Sequence, residues 1–425
     1  MGQTIAEKVL SRQNLAGVPV QAGDLIDARI DGLMVHSFHW GVIRAAYAKL
    51  GYPDGPPKVW DPERLYLMLE HQQPPPDVEG HRHNALTRGE AARLGLKHFY
   101  DSEMGICHQM MADHGHLRPG EFIVGTDSHT CFYGALNVVA SGIATDEAAY
   151  AVAFGELFFT VPESVKVVLH GHARNYPFAK DIVLYLAGQY GNTFAQGMSI
   201  EFTGEMATAM SLSDRFCLAD QGDEIGAKFA VFEADQTAID YVRARTNLPF
   251  TPVAADPDAR YARTIEVDCD ALAFQVAKPF RFDNVAPVSE VAGTKIDEAR
   301  IGTCADGRFE DIEIAARLLK GRKVAPGVRF YISPASQAVY KQCADTGVLS
   351  TLIEAGVQVM TPGCGICGMI QLNEHVSIAA VPRNSHGRFG GPESGDAQIY
   401  LAGPATVAAS AIAGHIVDPR EVLHG

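Results

Sequence analysis

Short apolar runs alternate with longer amphipathic stretches along most of the chain. In the first half, Glu121–Gly125 and Val165–Leu169 have the compact apolar pattern of buried strands, while the Ala-rich run Ala135–Phe159 and Lys180–Gln189 have helical periodicity. Strands that alternate with helices are typical of parallel sheets covered by helices. The pattern therefore predicts an α/β fold.

The second half repeats this alternation after an irregular stretch. Residues 247–291 are rich in proline and predict a crossing linker. Beyond the linker, the pattern predicts strands and helices in turn: strands Glu298–Gly302 and Arg329–Ile332, and helices Glu310–Lys320, Gln337–Asp345 and Thr406–His415. No tandem repeat is present, so two or three separate domains are expected for 425 residues.

Composition and charge narrow the classes of function. A net charge of −15 opposes any sequence-independent grip on phosphate backbones, so we expect no nucleic-acid partner. The N-terminus lacks the apolar core of a signal peptide, and no apolar stretch approaches the length of a membrane span. These features predict a cytoplasmic protein. In that compartment, eight cysteines are expected to be thiols or metal ligands rather than disulfides.

Cys364 and Cys367 form the one close cysteine pair, within the sequence PGCGICG. The surrounding glycines allow the backbone to turn both sulfurs toward one point. The spacing alone fits a redox dithiol, half of a zinc site, a cluster site or two buried cysteines.

Cys304 follows a predicted strand in the sequence IGTCADG, so it lies on a loop of the kind that carries functional groups in α/β sheets. A third thiolate would suit a four-iron cluster with one iron free of protein ligands, whereas Cys304 alone would be a small buried residue.

Polar groups also gather after the strand Glu121–Gly125. Asp127, Ser128 and His129 follow it directly, and an aspartate there can fix a histidine tautomer for proton transfer. Aspartate and serine also cap helices, which is the structural alternative. His108 and the pair Glu70-His71 lie near predicted element ends, where a single histidine is more often structural.

Three further charged residues could bind substrate or solvent. Glu224 lies among glycines, where solvent exposure is the ordinary explanation. Arg383 and Arg388 follow the cysteine pair, and guanidinium groups are natural anchors for carboxylates, although a surface role is equally common.

Taken together and in this order, the motifs resemble the aconitase superfamily, and within it the shorter, archaeal-like large subunits of 3-isopropylmalate dehydratase and homoaconitase. The resemblance covers nearly the whole chain. It rests on TIAEK at residues 4–8, AGD at 22–24, GICHQ at 105–109, TDSHT at 126–130, DNV at 283–285, GRFED at 307–311 and PGCGIC at 362–367.

The resemblance implies a three-domain α/β/α architecture around a central cluster site, without the swivelling fourth domain of the family. The implied domains span residues 1–163, 164–285 and 286–425, and the last carries the cluster cysteines. It further implies a hydro-lyase that dehydrates a 2-hydroxy-dicarboxylic acid, with 3-isopropylmalate as the default substrate, as in leucine biosynthesis. A separate small subunit would supply the missing domain and its catalytic serine base.

The family's functional residues can be carried over to matching positions. Cys304, Cys364 and Cys367 would hold a 4Fe-4S cluster with one iron not ligated by protein. The catalytic set would be Glu70, His71, His108, Asp127, His129 and Glu224, and the substrate-binding set Ser128, Arg383 and Arg388. In the implied mechanism, the serine removes a proton from carbon while His71 or His129 protonates the departing hydroxyl.

Several positions depart from the family pattern. Glu70 replaces an aspartate, Asp220-Gln221 an Asn-Met pair, Ala305-Asp306 a Thr-Asn pair, and Pro382 an asparagine. Such groups tune a metal site through its ligands. One alternative is therefore a diverged paralogue that acts on citramalate, dimethylmalate, homoaconitate or a similar acid. Another is a non-catalytic cluster-sensing or scaffold protein.

Overall fold

Parallel strands dominate the computed structural model, in three sheets that follow one another along the chain. The structure describes residues 2–369, 375–388 and 397–423, apart from positions 72, 74, 76, 173, 175 and 177. In that part of the chain the strands are β1 Leu25–Arg29, β2 Gly32–His36, β3 Leu65–Met68, β4 His98–Tyr100, β5 Phe122–Gly125, β6 Val139–Gly142, β7 Glu156–Thr160, β8 Ser164–His170, β9 Ser199–Thr203, β10 Phe229–Phe232, β11 Arg263–Asp268, β12 Gln275–Ala277, β13 Val285–Pro287, β14 Glu298–Ile301, β15 Arg329–Ile332, β16 Gln358–Val359, β17 Val376–Ala380 and β18 Gln398–Ala402.

Helices connect most of these strands. The α-helices of the described residues are α1 Ile5–Gln13, α2 Ser37–Lys49, α3 Val78–Arg93, α4 Cys107–Asp113, α5 Thr145–Phe154, α6 Ala179–Tyr190, α7 Glu205–Ala209, α8 Leu212–Asp220, α9 Gln236–Arg243, α10 Thr303–Asp306, α11 Phe309–Leu319, α12 Gln337–Asp345, α13 Val348–Ala355, α14 Pro404–Ala413 and α15 Arg420–Leu423. Short 3-10 helices cover Ser128–Leu136, Asp223–Ile225, Val288–Glu290 and Gly365–Gly368.

The first sheet has the order β4-β3-β2-β5-β6 and is parallel throughout. The second, β10-β9-β8-β11, is also parallel. The third has the order β13-β12-β18-β17-β14-β15-β16. All its strands run in one direction except β12, which is antiparallel to both of its neighbours. A separate ribbon pairs β1 with β7. Strands buried on both faces, such as β3 and β10, have the continuous apolar sequences expected of covered parallel sheets.

Most of the predicted elements are confirmed, including the α/β fold class. Strands β5, β8, β14 and β15 and helices α6, α11, α12 and α14 lie where the sequence pattern predicts them, to within a few residues. The three sheets follow the order of the three predicted domains, although β12 already belongs to the third sheet. The boundaries after residues 163 and 285 stay a prediction.

Two predicted elements are wrong. The run 135–159 is not one helix, because Asn137 adopts a left-handed backbone (φ 63°) and ends the first 3-10 helix. Its buried amide donates to the carbonyls of Phe232 (2.8 Å) and Val253 (2.9 Å), which fixes this break before β6, α5 and β7. The stretch 247–291 is not a simple linker either, since β11 within it pairs with β8.

No helix in the described ranges is both long and apolar enough to cross a bilayer.

Candidate active site

The carboxyl ends of strands from the first and third sheets meet at one place. Glu70 and His71 follow β3, and Asp127 follows β5; Cys304 and Arg383 follow β14 and β17 in the same way. Loops at the carboxyl ends of parallel strands are where α/β proteins concentrate their functional groups. The structure brings all twelve predicted site residues into this region.

Asp127 is the centre of a group of three histidines. Its Oδ1 lies 3.0 Å from Nε2 of His108 and 3.4 Å from Nδ1 of His129, while its Oδ2 lies 3.4 Å from Nε2 of His71. Burial raises the pKa of Asp127, but the hydrogen bonds from His108, His129 and His71 outweigh it and hold the pKa well below the usual range. The carboxylate therefore stays ionised and orients all three rings.

His71 sits between two carboxylates. Its Nδ1 contacts Oε1 of Glu70, and its backbone adopts a left-handed conformation (φ 76°) that is costly for a residue with a side chain. Burial lowers the pKa of His71, yet Glu70 and Asp127 raise it well above the ordinary value. His36 stacks on His71 with ring centroids 4.4 Å apart, and burial together with the His71 charge lowers the pKa of His36 to about 3.

His129 is the second histidine held as a cation. Its Nε2 lies 3.2 Å from Oε1 of Glu224. Burial lowers the pKa of His129, but Asp220, Asp127 and Glu224 raise it well above the usual value. The site therefore holds two imidazolium groups, His71 and His129, on either side of Asp127.

Arg383 is fixed before any substrate arrives. Its Nε contacts Oε1 of Glu224, and its Nη2 contacts Asp223 and lies 2.9 Å from Oγ of Ser128. A guanidinium held in this way loses little conformational entropy when it binds a carboxylate.

The three predicted cluster cysteines converge next to this group. All eight cysteines of the chain are free thiols. The Cys364 hydrogen bond and Arg388, whose Nη2 lies 2.7 Å from the Cys367 sulfur, together outweigh burial and lower the pKa of Cys367 to about 5. The Cys304 sulfur lies within 4.8 Å of ligand atoms of His129 and Asp220, so it faces the histidine group.

This arrangement suits an iron–sulfur cluster. Cysteine thiolates are the donors that hold such clusters, and three cysteines lie together here. Among the described residues, buried polar atoms without a hydrogen-bond partner include Oγ1 of Thr303 and Nε of Arg388, each in or next to the cysteine set. Buried donors of this kind are rarely left unpaired, and cluster sulfides accept hydrogen bonds. The backbone at Thr303 is left-handed (φ 71°), a strained turn that sets the direction of Cys304.

A cavity of about 740 Å³ opens beside His71 and Asp127. His71, Asp127 and Ser128 line it together with His36 and His39, which sequence reasoning missed. His36 is the last residue of β2, so the rule that located Asp127, a polar group at the carboxyl end of a strand, would also have found His36. Asp223, which precedes Glu224, was not predicted as a site residue, and nothing in the sequence distinguishes its contact with Arg383.

Comparisons with known proteins agree with this geometry. Residues 69–414 match the family model described as "Aconitase family (aconitate hydratase)". The chain is 42% identical to "3-isopropylmalate dehydratase large subunit 1" of Methanopyrus kandleri over 100% of both chains. It is 38% identical to the "Probable methanogen homoaconitase large subunit" of Methanothermobacter thermautotrophicus, over 98% of this chain and 97% of that one.

A solved structure shows the same fold at low identity. The crystal structure of Thermococcus kodakaraensis aconitase X in its holo-form superposes with a TM-score of 0.50 at 14% identity, covering 86% of this chain and 85% of that one. The family match and the full-length relatives together show that the chain belongs to the aconitase family, whose members are hydro-lyases.

Proposed function

We propose that the chain is the large subunit of a cytoplasmic, iron–sulfur-dependent dehydratase of a 2-hydroxy-dicarboxylic acid, with 3-isopropylmalate as the default substrate. One observation carries the proposal: three thiols, two imidazolium groups and a fixed arginine meet at the same edge of the fold. The substrate class comes from the full-length relatives named as dehydratase large subunits. Eight free thiols suit a reducing compartment.

Cys304, Cys364 and Cys367 would hold a 4Fe-4S cluster with one iron left free of protein ligands. When bound, the cluster supplies a Lewis acid for the hydroxyl and carboxylate of the substrate. Arg388 adds a positive charge beside Cys367 and so favours thiolate at that position.

The chain's own residues supply the acid and the substrate anchors. His71 and His129 hold protons at neutral pH, because Glu70, Asp127 and Glu224 surround them. Either imidazolium can therefore donate a proton to the departing hydroxyl, and Asp127 keeps the rings in place. Arg383 with Ser128, and Arg388, would bind the substrate carboxylates.

A small subunit would complete the site. The relatives that match over their full length are named as large subunits, which implies a second chain. We propose that this partner supplies the serine base that removes the carbon-bound proton. The acid and the base would then come from different chains.

The test is turnover by the reconstituted large subunit with its small subunit under anaerobic conditions. We expect a higher kcat/KM for the dehydration of 3-isopropylmalate than for the dehydration of citramalate or dimethylmalate, or for the hydration of homoaconitate. An enzyme with intact iron that is inactive on every acid of the panel would refute the proposal.

A diverged substrate preference is the second candidate, and the charges around the site favour it. The carboxylates of Glu70, Asp220 and Asp306 are all buried at positions where the family pattern has a shorter or neutral side chain. They change the size and charge of the region behind the cysteines and His71. The same panel decides between the candidates, since a best substrate other than 3-isopropylmalate would establish the second.

A further inference from the structure

One buried ammonium group lies beneath the site and touches three of its segments. The Lys180 side chain, on α6, is 0% exposed. Its Nζ donates to Oε1 of Gln221 at 2.6 Å and to the carbonyl of Val381 at 2.8 Å. It also lies 3.6 Å from Oδ2 of Asp306, which completes an ion pair.

Each of these contacts adjoins a residue of the candidate site. Gln221 precedes Glu224 in the turn that ends α8, and Asp306 follows Cys304 within α10. Val381 directly follows β17, in the segment that leads to Arg383. A single cation therefore links the segments that carry the carboxylate, the thiol and the arginine.

The contacts of Lys180 also coincide with departures from the family pattern. Gln221 stands where that pattern has methionine, and Asp306 where it has asparagine. Methionine offers an ammonium only a weak acceptor, and asparagine offers no countercharge. In this chain the glutamine amide oxygen provides a strong acceptor, and the aspartate carboxylate provides the countercharge. The two departures are thus partners of one buried group rather than independent changes.

We propose that Lys180 is a positioning residue for the reaction, that Asp306 balances its charge and that Gln221 accepts a hydrogen bond from its ammonium group. This proposal rests on the proposed function. Buried opposite charges depend on each other, because removal of one leaves the other unpaired in the interior, whereas removal of both is often tolerated. The carbonyl of Val381, by contrast, loses its donor whenever Lys180 is replaced.

The charge compensation is tested by a double-mutant cycle in the full-length chain, with K180M, D306N and K180M/D306N. We expect each single variant to lower the thermal unfolding midpoint by several degrees, and the double variant to lie closer to wild type than K180M does. The matched control is the exposed ion pair of α12, with K341M, D345N and their double variant. Its changes are expected to be small and additive.

The positioning role is tested by two other measurements. We expect K180M/D306N to keep a KM raised about tenfold or more, because restored charge balance does not restore the Val381 contact. In the chain without cluster, the Cys304 thiol of K180M should be alkylated about tenfold faster than in wild type. The reason is that the segment that carries Cys304 has lost its ion pair with Lys180. Neither quantity should change in the Lys341 control.

The proposal would be overturned if the losses of stability in the cycle were additive. It would also be overturned if the KM and the alkylation rate stayed at wild-type values. If K180M does not fold, the double variant decides: a folded double variant supports compensation, and an unfolded one refutes it. The unfolding and alkylation measurements do not need turnover. An inactive wild-type enzyme would therefore refute the proposed function while the role of Lys180 is still tested.

Discussion

At the scale of single residues, the histidines of the site differ in charge because their neighbours differ. His36 and His71 stack on each other, yet only His71 contacts two carboxylates. Burial and the adjacent charge keep His36 neutral, whereas Glu70 and Asp127 keep His71 protonated. The protonated state of His71 is thus set by its carboxylate partners and not by residue type, and we propose on this ground that it acts as an acid.

This assignment predicts the pH dependence of the reaction. A histidine with a raised pKa is protonated at lower pH and loses its proton as the pH rises through the raised value. We therefore expect the alkaline limb of kcat/KM to lie above pH 6.5, the ordinary histidine value. Glu70→Gln removes one carboxylate charge and should move that limb to lower pH.

His172→Asn is the matched control, since His172 is exposed and pairs with Asp270 far along the chain from the site. It should leave the profile unchanged. A wild-type alkaline limb at or below pH 6.5 would contradict the assignment of His71 and His129 as the acids.

The position of Arg388 next to Cys367 predicts how readily this thiol is alkylated. The Cys364 hydrogen bond and the Arg388 charge lower the pKa of Cys367 to about 5. In the chain without cluster, alkylation of Cys367 should therefore already be close to its maximal rate at neutral pH. Arg388→Met should raise the pKa of Cys367 and shift the alkylation profile to higher pH, whereas the exposed Arg420→Met should not. A profile that does not respond to Arg388→Met would remove this role.

At the scale of elements, the 3-10 helix Ser128–Leu136 depends on a close backbone approach. A Cβ added at Gly134 would lie 1.8 Å from the carbonyl oxygen of Ala230 in β10. Because that oxygen is held in a sheet, Gly134→Ala should destabilise the fold by about 1–3 kcal/mol. It should also lower activity, since the same helix begins at Ser128 and His129.

Gly89→Ala is the control for this prediction. Gly89 lies within α3 with no atom within 4 Å of an added Cβ, so alanine there should be neutral or stabilising by up to about 1 kcal/mol. Chemical denaturation of both variants measures the difference. Equal stabilities would mean that the approach of the helix to β10 is not tight.

The elements also show what a single sequence can predict. Helix α12 and strand β15 were predicted with the bounds that the structure has, because their periodicity is strong and their ends are marked by polar residues. The run 135–159 was mispredicted, since alanine-rich periodicity outweighed one asparagine whose buried amide ends the helix. Strand β11 was missed because nearby prolines indicated a linker, while its pairing with β8 is a tertiary effect.

At the scale of the whole molecule, most of the candidate site follows from where strands end. Residues such as Asp127 and Cys304 could be named from sequence because they directly follow predicted strands, and the family resemblance supplied their grouping. The link from Lys180 to Gln221, Asp306 and Val381 could not be named, because it joins segments far apart in the chain. Only packing of the sheets brings these atoms together.

The proposed division of acid and base between two chains makes a prediction about the isolated large subunit. Without the partner's serine, the iron-loaded chain should turn over substrate at less than about one hundredth of the rate of the complete enzyme. Addition of the small subunit should restore the rate, with a dependence on its concentration. Full activity of the large subunit alone would place the base within this chain.

The central claim is that Cys304, Cys364 and Cys367 together hold the cluster that makes this fold a dehydratase. Its most direct test is an iron and sulfide determination with an EPR spectrum after anaerobic reconstitution of the wild-type chain, Cys304→Ser and the control Cys343→Ser, which alters a buried thiol on α12. We predict about four irons per chain in the wild type and in the control, and loss of the cluster in Cys304→Ser. Zinc or no metal in the wild type, or an unchanged cluster in Cys304→Ser, would contradict the account.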